Sequence, residues 1–332
     1  MNQANSNTFR FSRLTQPQFG LIWLLFAMLA LFSVTSSAFR TPDNLLEILR
    51  ASGINAILVL GLTWILAIGE LDVSFADVAA LVSMITAYLV MKSGVPMGLA
   101  LVAAFIGGTL IGVINGFMAA YMKIPSLITT IATGFAAKAI AKILNQGKPL
   151  AIVSSSKIIY NFVFGEILGI PVLFLTALAI YIVSYFLQDR TTMGQHLYAL
   201  GENRQATREA GIKESKIVLY YFILTSAMAA IAGILVTAQL GSGVSEIGGG
   251  TLMIQGFTAV FLGALVVKAG KHNVIGTFIG VVILTVLVNW ITLLGWPTFI
   301  VWLTRGAMLI VGVTVVTLLS YRQRGVLKLK VE

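Results

Sequence analysis

The chain contains no cysteine, only two histidines and few charged residues. Without cysteine it has no disulfide framework, thiol nucleophile or zinc–thiolate site. His196 and His272 lie far apart in the sequence without a neighbouring ligand cluster, so the sequence predicts no metal site. Charged residues make up 10% of the 332 residues, against about 25% in soluble domains. That deficit, together with 58% hydrophobic residues, indicates a polytopic membrane protein.

Two further features argue against enzymatic and nucleic-acid functions. No Gly-x-x-x-x-Gly-Lys-Ser/Thr motif occurs, so the chain lacks the phosphate-binding loop needed to hydrolyse ATP by that route. Glu70 and Asp72 are close enough to suggest a general acid/base pair, but no nucleophile or metal cluster accompanies them. The net charge of +10 comes from basic residues that flank apolar segments, so we expect no catalytic residues and no nucleic-acid partner.

Ten apolar segments are long enough to suggest membrane spans. The first is about twice as long as the apolar region of a signal peptide, so we interpret it as an uncleaved span. We therefore predict an all-α fold, a transmembrane helical bundle of about ten spans, at residues 20–39, 51–68, 73–91, 96–118, 125–144, 171–187, 217–240, 252–267, 274–292 and 298–319. Ten crossings place both termini on the same side of the membrane.

The basic residues predict which side that is. Fourteen Lys and Arg residues fall in the two terminal segments and in the connections after even-numbered spans, and five fall in the other connections. This bias predicts cytoplasmic termini. We expect a cytoplasmic segment at 1–19, a transmembrane domain at 20–319 and a basic cytoplasmic tail at 320–332 that contacts anionic membrane lipid. Spans two to five and seven to ten then have opposite orientations, as in an inverted repeat.

The connection at residues 188–216 carries nine charged side chains, which excludes it from hydrocarbon. Asn203 can accept the first amide hydrogens of a helix, and Gly211 can supply a left-handed stop. We therefore predict a helix of about two turns at 204–210, with Ala206 and Ala210 on one face. The physical features alone leave two interpretations: a solvated connector, or a surface that a partner contacts.

The motif TxxGxxxxALGENxxATxxAGI in this connection resembles the cytoplasmic loop of the membrane subunits of ABC importers for ribose, xylose, arabinose and galactosides. The resemblance implies a permease that docks on a separate cytoplasmic ATPase, which binds ATP and Mg²⁺, so this chain itself would bind no cofactor. It also implies an extracytoplasmic solute-binding protein, a second permease subunit in a homodimer or heterodimer, and a location in the bacterial cytoplasmic (inner) membrane. The cargo would be a monosaccharide or a related polyol. The implied ATPase-coupling residues are Gly194, Gly201, Glu202, Asn203, Ala206, Arg208 and Gly211.

Polar residues in apolar surroundings suggest a translocation path. Gly69, Asp72 and Ser74 match a second motif of these permeases, although Glu70 and Ala76 stand where the family has glycine. We interpret this stretch as either an interfacial turn or a broken helix near the path. The hydroxyls at the start of the fifth span either face a polar passage or bond to their own helix carbonyls. The predicted path residues are Asp72, Ser74, Asn115, Ser126, Thr129, Thr130 and Asn289.

Four other stretches carry weaker signals. Residues 259–277 also resemble the permease pattern and predict a second inside loop that could contact the ATPase. Residues 150–170 predict an outer loop with a short apolar helix, and the glycine-rich residues 241–250 predict a flexible outer turn. The glycine face of the fourth span, which includes Gly108 and Gly112, is more typical of close helix packing than of a binding site.

Two alternative functions remain open. A branched-chain amino-acid permease would have the same architecture, and uptake assays with reconstituted partners would distinguish it. A secondary transporter would use an ion gradient, and its activity would survive without any ATPase.

Overall fold

A computed structural model describes residues 20–152, 163–247, 250–268 and 270–323. This part of the chain is predominantly helical, which confirms the predicted polytopic helical bundle. Its twelve α-helices are α1 (Gly20–Thr35), α2 (Pro42–Ala67), α3 (Phe75–Met91), α4 (Met97–Ala120), α5 (Ser126–Leu144), α6 (Val172–Arg190), α7 (Thr192–Glu202), α8 (Arg204–Glu209), α9 (Glu214–Leu240), α10 (Gly250–Gly263), α11 (Val274–Leu293) and α12 (Thr298–Gln323). A 3-10 turn spans Ala38–Arg40.

Two pairs of very short strands connect loops. Strand β1 (Leu150–Ala151) pairs antiparallel with β4 (Ser242–Gly243), so the loop after α5 is joined to the loop after α9. Strand β2 (Glu166–Ile167) pairs antiparallel with β3 (Ile170–Pro171) just before α6. The short apolar helix predicted within 150–170 falls largely on residues 153–162, which lie outside the described residues, as do residues 1–19 and 324–332 and part of the predicted outer turn at 241–250.

Local sequence signals set the helix ends. Thr41 caps α2 by accepting the Asn44 N–H at 3.4 Å. Pro42 occupies the first turn of α2, where its missing N–H leaves no hydrogen bond unmade. Gly241, with φ of 59°, ends α9 in the left-handed conformation that glycine adopts without a steric cost. The long helices therefore begin and end where capping chemistry allows.

Apolar helices occupy all ten predicted span positions, but they differ in length. Seven of them, α2, α4, α5, α6, α9, α11 and α12, are long and apolar enough to cross a membrane. Helices α1, α3 and α10 are shorter. The prediction of a span at 252–267 is too long, because α10 ends at Gly263 and Val267 adopts a left-handed φ of 63°. The first predicted span is also too long, since α1 ends at Thr35.

Helices α2 and α9 form the centre of the bundle. Almost every residue of α2 from Ile54 to Leu66 is buried, and α9 packs against α2, α3 and α4. Glycine allows these close approaches: a Cβ at Gly61 of α2 would overlap the backbone of Thr225 in α9. A Cβ at Gly112 of α4 would lie 2.5 Å from the Phe222 carbonyl oxygen. The glycine face of α4 is thus a packing face, as predicted.

The outer helices expose large apolar side chains rather than polar ones. A helix whose outward-facing side chains are apolar suits a membrane and not water. This surface, with the seven helices of membrane-spanning length, identifies a multi-pass membrane protein. Exposed members on α4, α5 and α12 include Leu99, Ile106, Phe117, Ile128, Phe135, Ile143, Phe299, Trp302, Leu303 and Ile310.

Contacts between loops define two ends of the bundle. At one end, which we call the loop end, residues 188–216 contact residues 264–273 through the Lys268–Asp189 ion pair at 2.6 Å. The same end includes the last turn of α4, because Ser215 Oγ donates to the Ala120 carbonyl at 3.1 Å. At the opposite end, Arg50 pairs with Glu166 at 2.8 Å.

The α2–α9 contact provides a test of this packing. We expect Gly61→Val to lower the free energy of unfolding by about 1–3 kcal/mol, because the new side chain overlaps the backbone of α9. Thermal unfolding of purified protein in detergent measures the effect. Gly306→Val in α12 is the matched control, since a Cβ there meets no atom within 4 Å. Equal melting temperatures for the two variants would contradict the assignment of α2 and α9 to the core.

Candidate functional site

The seven residues between α2 and α3, Ile68 to Ser74, are not helical and enter the bundle; we call them the segment. Backbone groups in such a place must find partners, because hydrocarbon offers none. The Leu71 N–H donates to Ser126 Oγ at 3.1 Å, and the Val73 N–H donates to Thr130 Oγ1 at 3.2 Å. Ser126 and Thr130 are one turn apart on α5, so a single face of that helix replaces the missing helical hydrogen bonds.

The segment ends in a buried polar network, which we call the polar knot: Asp72, Ser74, Asn115 and Thr133. Asp72 Oδ1 accepts hydrogen bonds from the Ser74 N–H at 2.8 Å and from Ser74 Oγ at 2.6 Å. Asn115 Nδ2 donates to Ser74 Oγ at 3.0 Å, and Thr133 Oγ1 donates to Asn115 Oδ1 at 2.6 Å. Asp72, Ser74 and Asn115 are each 0% exposed. The polar knot therefore joins the segment to α4 and α5 inside the bundle.

The hydroxyls of α5 have a use that neither sequence interpretation described. Thr130 donates weakly to the Leu127 carbonyl of its own helix, whereas the single hydroxyl hydrogen of Thr133 is donated to Asn115 Oδ1. The Thr130 oxygen also accepts the Val73 N–H of the segment. Two buried atoms, Asp72 Oδ2 and Thr129 Oγ1, have no hydrogen-bond partner among the described residues.

Six of the seven predicted path residues come together in this network and its immediate surroundings. The seventh, Asn289, lies elsewhere, in α11 near the opposite end. It exchanges two amide hydrogen bonds with Asn44 of α2, at 2.8 and 3.2 Å. The expected polar partner of Asn289 is thus another helix. The six grouped residues are all buried inside the bundle.

Two short helices form the connection at the loop end. The predicted one is α8: Asn203 Oδ1 accepts the Ala206 N–H at 3.0 Å, and Gly211 follows with φ of 79°. The other, α7, was missed. Its signal is present in the sequence, because Met193, Leu197 and Leu200 have helical spacing and the latter two are buried.

The predicted coupling residues have different environments. A Cβ at Gly194 would overlap the Gln188 carbonyl, and a Cβ at Gly201 would overlap the Ala67 carbonyl, so both glycines allow α7 to lie against the ends of α6 and α2. Glu202 pairs with Lys271 of the neighbouring loop. Asn203 and Gly211 bound α8. Ala206 and Arg208 are exposed on α8. This leaves α8 as the part of the connection that is open to a partner.

An ion-pair cluster that sequence reasoning missed ties this connection to the segment. Arg204 Nη2 lies 2.5 Å from Glu70 Oε1 and donates to the Ile68 carbonyl at 3.2 Å. Arg204 Nη1 lies 3.0 Å from Glu214 Oε1, whose other oxygen lies 2.5 Å from Arg208 Nε. The hydrogen bond and charge of Glu214 raise the pKa of the Arg208 guanidinium. Arg204 therefore bridges α8, the start of α9 and a residue two positions from Asp72.

The second predicted inside loop, which in the structure lies between α10 and α11 at 264–273, packs against the first. Tyr198 Oη donates to the His272 carbonyl at 3.2 Å, and the Val274 N–H donates to Gln188 Oε1 at 3.0 Å. Burial lowers the pKa of His272 to about 4, so its imidazole is neutral at physiological pH. Within the described ranges, no group of three or more His, Asp or Glu side chains is arranged to hold a metal ion.

The chain is similar in sequence to known membrane permeases. The family described as "Branched-chain amino acid transport system / permease component" matches residues 44–317. The ribose import permease protein of Haemophilus influenzae is 29% identical over 94% of this chain and 97% of its own length. The xylose transport system permease protein of the same organism is 26% identical over 87% and 93%, and the L-arabinose ABC transporter permease protein of Azospirillum brasilense is 26% identical over 89% and 86%. No solved structure matches the chain.

The hydrogen bonds between the segment and α5 can be tested. Thr130→Val keeps the side-chain shape but removes the acceptor of the Val73 N–H, so we expect unfolding to become easier by about 1–3 kcal/mol. The matched control is Thr86→Val, because the Thr86 hydroxyl is also buried but donates only to the Val82 carbonyl of its own helix. Thermal unfolding in detergent compares the two. A loss no greater than that of the control would show that the α5 hydroxyl does not support the segment.

Proposed function

Because the chain belongs to the family described as "Branched-chain amino acid transport system / permease component", we propose that it is the membrane permease subunit of an ATP-driven importer of a monosaccharide or related polyol. A permease is a transport subunit and not an enzyme. The observation that carries the cargo class is similarity over nearly the whole chain to permeases named for ribose, xylose and arabinose. The family description alone would favour an amino acid, which is the second candidate.

The proposed topology has ten crossings with both termini in the cytoplasm. Its support is that the connections predicted to be inside meet at the loop end, whereas connections predicted to be outside meet at the opposite end. The short helix α3 fits this topology when the segment before it is included. Helix α3 alone is about 26 Å long at about 1.5 Å per residue, and the segment before it adds length.

An inverted repeat is supported by the positions of two short helices. Helix α3 is the second of spans two to five, and α10 is the second of spans seven to ten. Short or interrupted apolar segments at matching positions are typical of inverted repeats. The two helices also meet: the Phe75 and Phe257 rings pack edge to face with centroids 6.4 Å apart.

The loop end is the proposed docking surface for a cytoplasmic ATPase that binds ATP and Mg²⁺. Helix α8 presents small exposed side chains beside charged ones, which suits insertion into a cleft. The loop at 264–273 extends the same surface. A solute-binding protein would dock at the opposite end, and a second permease subunit, identical or not, would complete the importer in the bacterial cytoplasmic membrane.

The ion-pair cluster suggests how movement of α8 reaches the membrane. A displacement of α8 pulls on Arg204, whose guanidinium holds Glu70 and the Ile68 carbonyl. The segment then moves along α5, where the Leu71 and Val73 amides exchange hydroxyl partners. The Ser126-to-Thr133 stretch that supports the segment spans about 10 Å of the α5 axis. Sliding of the segment over that face would rearrange the polar knot and change access to the path.

Transport by reconstituted protein tests the cargo and the energy source. The permease, a cognate ATPase and a cognate solute-binding protein are placed in liposomes, and uptake of labelled ribose, xylose, arabinose and leucine is measured. We expect uptake of a sugar that requires ATP. Leucine uptake without sugar uptake would replace the cargo assignment with the amino-acid one, and sugar uptake without ATPase would identify a secondary transporter.

The proposed relay predicts a specific defect in Glu70→Gln. Loss of one charge-assisted hydrogen bond to Arg204 should reduce uptake about tenfold while the ATPase still binds and hydrolyses ATP. Asp189→Asn is the matched control, because Asp189 pairs with Lys268 at the same end of the bundle without contacting Arg204 or the segment, and should leave uptake unchanged. Uptake and ATP hydrolysis are measured in the same liposomes. Full uptake in Glu70→Gln, or an equal loss in both variants, would refute the relay.

A further inference from the structure

An apolar cleft opens between α6 and α9, which both pack on α2. Its volume is about 360 Å³, within the roughly 300–1,000 Å³ of ligand pockets. Trp64 of α2 contributes to its lining, together with apolar side chains of α6 and α9. Val183 and Leu187 on its rim are 58% and 42% exposed, so the cleft opens sideways toward the lipid.

At the loop end this cleft continues into a second cavity of about 470 Å³. The two share Met193, Tyr220 and Tyr221, so they form one groove. The second cavity is lined by Thr192, His196 and Lys216, which give it hydroxyl, imidazole and ammonium groups. The groove therefore has an apolar body and a basic, hydrogen-bonding mouth.

The mouth of the groove contains a lysine whose charge is not paired in the part of the chain that the structure describes. The ammonium group of Lys216 forms no ion pair or side-chain hydrogen bond within the described part of the chain, whereas Lys268 and Lys271 nearby are paired with Asp189 and Glu202. Lys216 is also exposed. An unpaired cation at the end of an apolar groove complements a molecule with an apolar tail and an anionic head.

We propose that this groove binds one anionic phospholipid. An acyl chain lies in the apolar body beside Trp64, and the phosphate lies at the mouth, where Lys216, His196 and Thr192 donate to its oxygens. The apolar body offers a sugar few hydrogen-bond partners, because the side-chain amide of Gln188 is already used by the His272 carbonyl and the Val274 N–H. The inference depends on the chain residing in a membrane and not on its cargo or its ATPase.

The site has a structural consequence for the loop end. Helix α6 enters the connection at 188–216 and α9 leaves it, so a lipid between these helices sets the spacing of the two ends of the connection. Met193 on α7 borders both parts of the groove, and its carbonyl accepts a long hydrogen bond, 3.4 Å, from Tyr221 Oη. Lipid occupancy therefore supports the position of α7, and through it of α8.

Fluorescence quenching tests the site. Trp64 is made the sole tryptophan by Phe substitution at Trp23, Trp290, Trp296 and Trp302, and the full chain is placed in nanodiscs that contain dibrominated phosphatidylglycerol or dibrominated phosphatidylcholine. We expect saturable quenching at a lower mole fraction of phosphatidylglycerol. Lys216→Glu should raise the half-quenching mole fraction at least about fivefold, and Lys216→Arg should preserve it.

Lys213→Glu is the matched control, because Lys213 is an exposed lysine of the same connection that does not line the groove. A second measurement uses the otherwise unmodified chain: native mass spectrometry should retain one phosphatidylglycerol per subunit, and Lys216→Glu should lose it. Equal quenching by both lipids, unchanged quenching in Lys216→Glu, or an equal loss in Lys213→Glu would mean that only unspecific surrounding lipid contacts this face, and would overturn the proposal.

Discussion

Non-helical backbone inside an apolar bundle must have every N–H paired, and this constraint shapes the region around residues 68–74. The N–H groups of residues 68–70 donate to carbonyls of the last turns of α2. Further along, hydroxyls of α5 accept the Leu71 and Val73 N–H groups, and the carboxylate of Asp72 accepts that of Ser74. Asp72 is linked through Ser74 to Asn115, and Asn115 accepts a hydrogen bond from Thr133. The requirement to pair a few amides thus places a connected polar network where three helices meet.

The same segment explains why charges gather at one point of the loop end. Glu70 follows Gly69, which has a left-handed φ, and forms an ion pair with Arg204. Arg204 also forms an ion pair with a second carboxylate, that of Glu214. Partly exposed ion pairs contribute little stability. Their geometry matters more here, because the planar guanidinium fixes the orientation of α8 relative to the segment. The cluster is therefore better understood as a positioning device than as a source of stability.

Sequence reasoning found what depends on local or compositional signals. Apolar run length gave the helix positions, and the Asn203 cap with Gly211 gave α8. It missed α7, because the apolar spacing of that short helix covers only about two turns and charged residues flank it on both sides. It also missed the Glu70–Arg204 pair, whose members are 134 residues apart in the sequence and share no local pattern. Gly194 and Gly201 allow α7 to approach the backbone of α6 and α2 closely. These contacts are with the backbone of other helices, so no local pattern indicated them.

Two consecutive residues connect the polar knot to the contact between α3 and α10. Ser74 belongs to the knot, and Phe75 packs on Phe257 and lies close to Gly256, where a Cβ would come within 2.7 Å of its ring. A shift of the segment along α5 would therefore also shift the start of α3 against α10. If the two groups of four spans form an inverted repeat, we propose that movement at the loop end reaches the second repeat at Phe75, because its ring contacts Phe257 and lies where Gly256 has no Cβ.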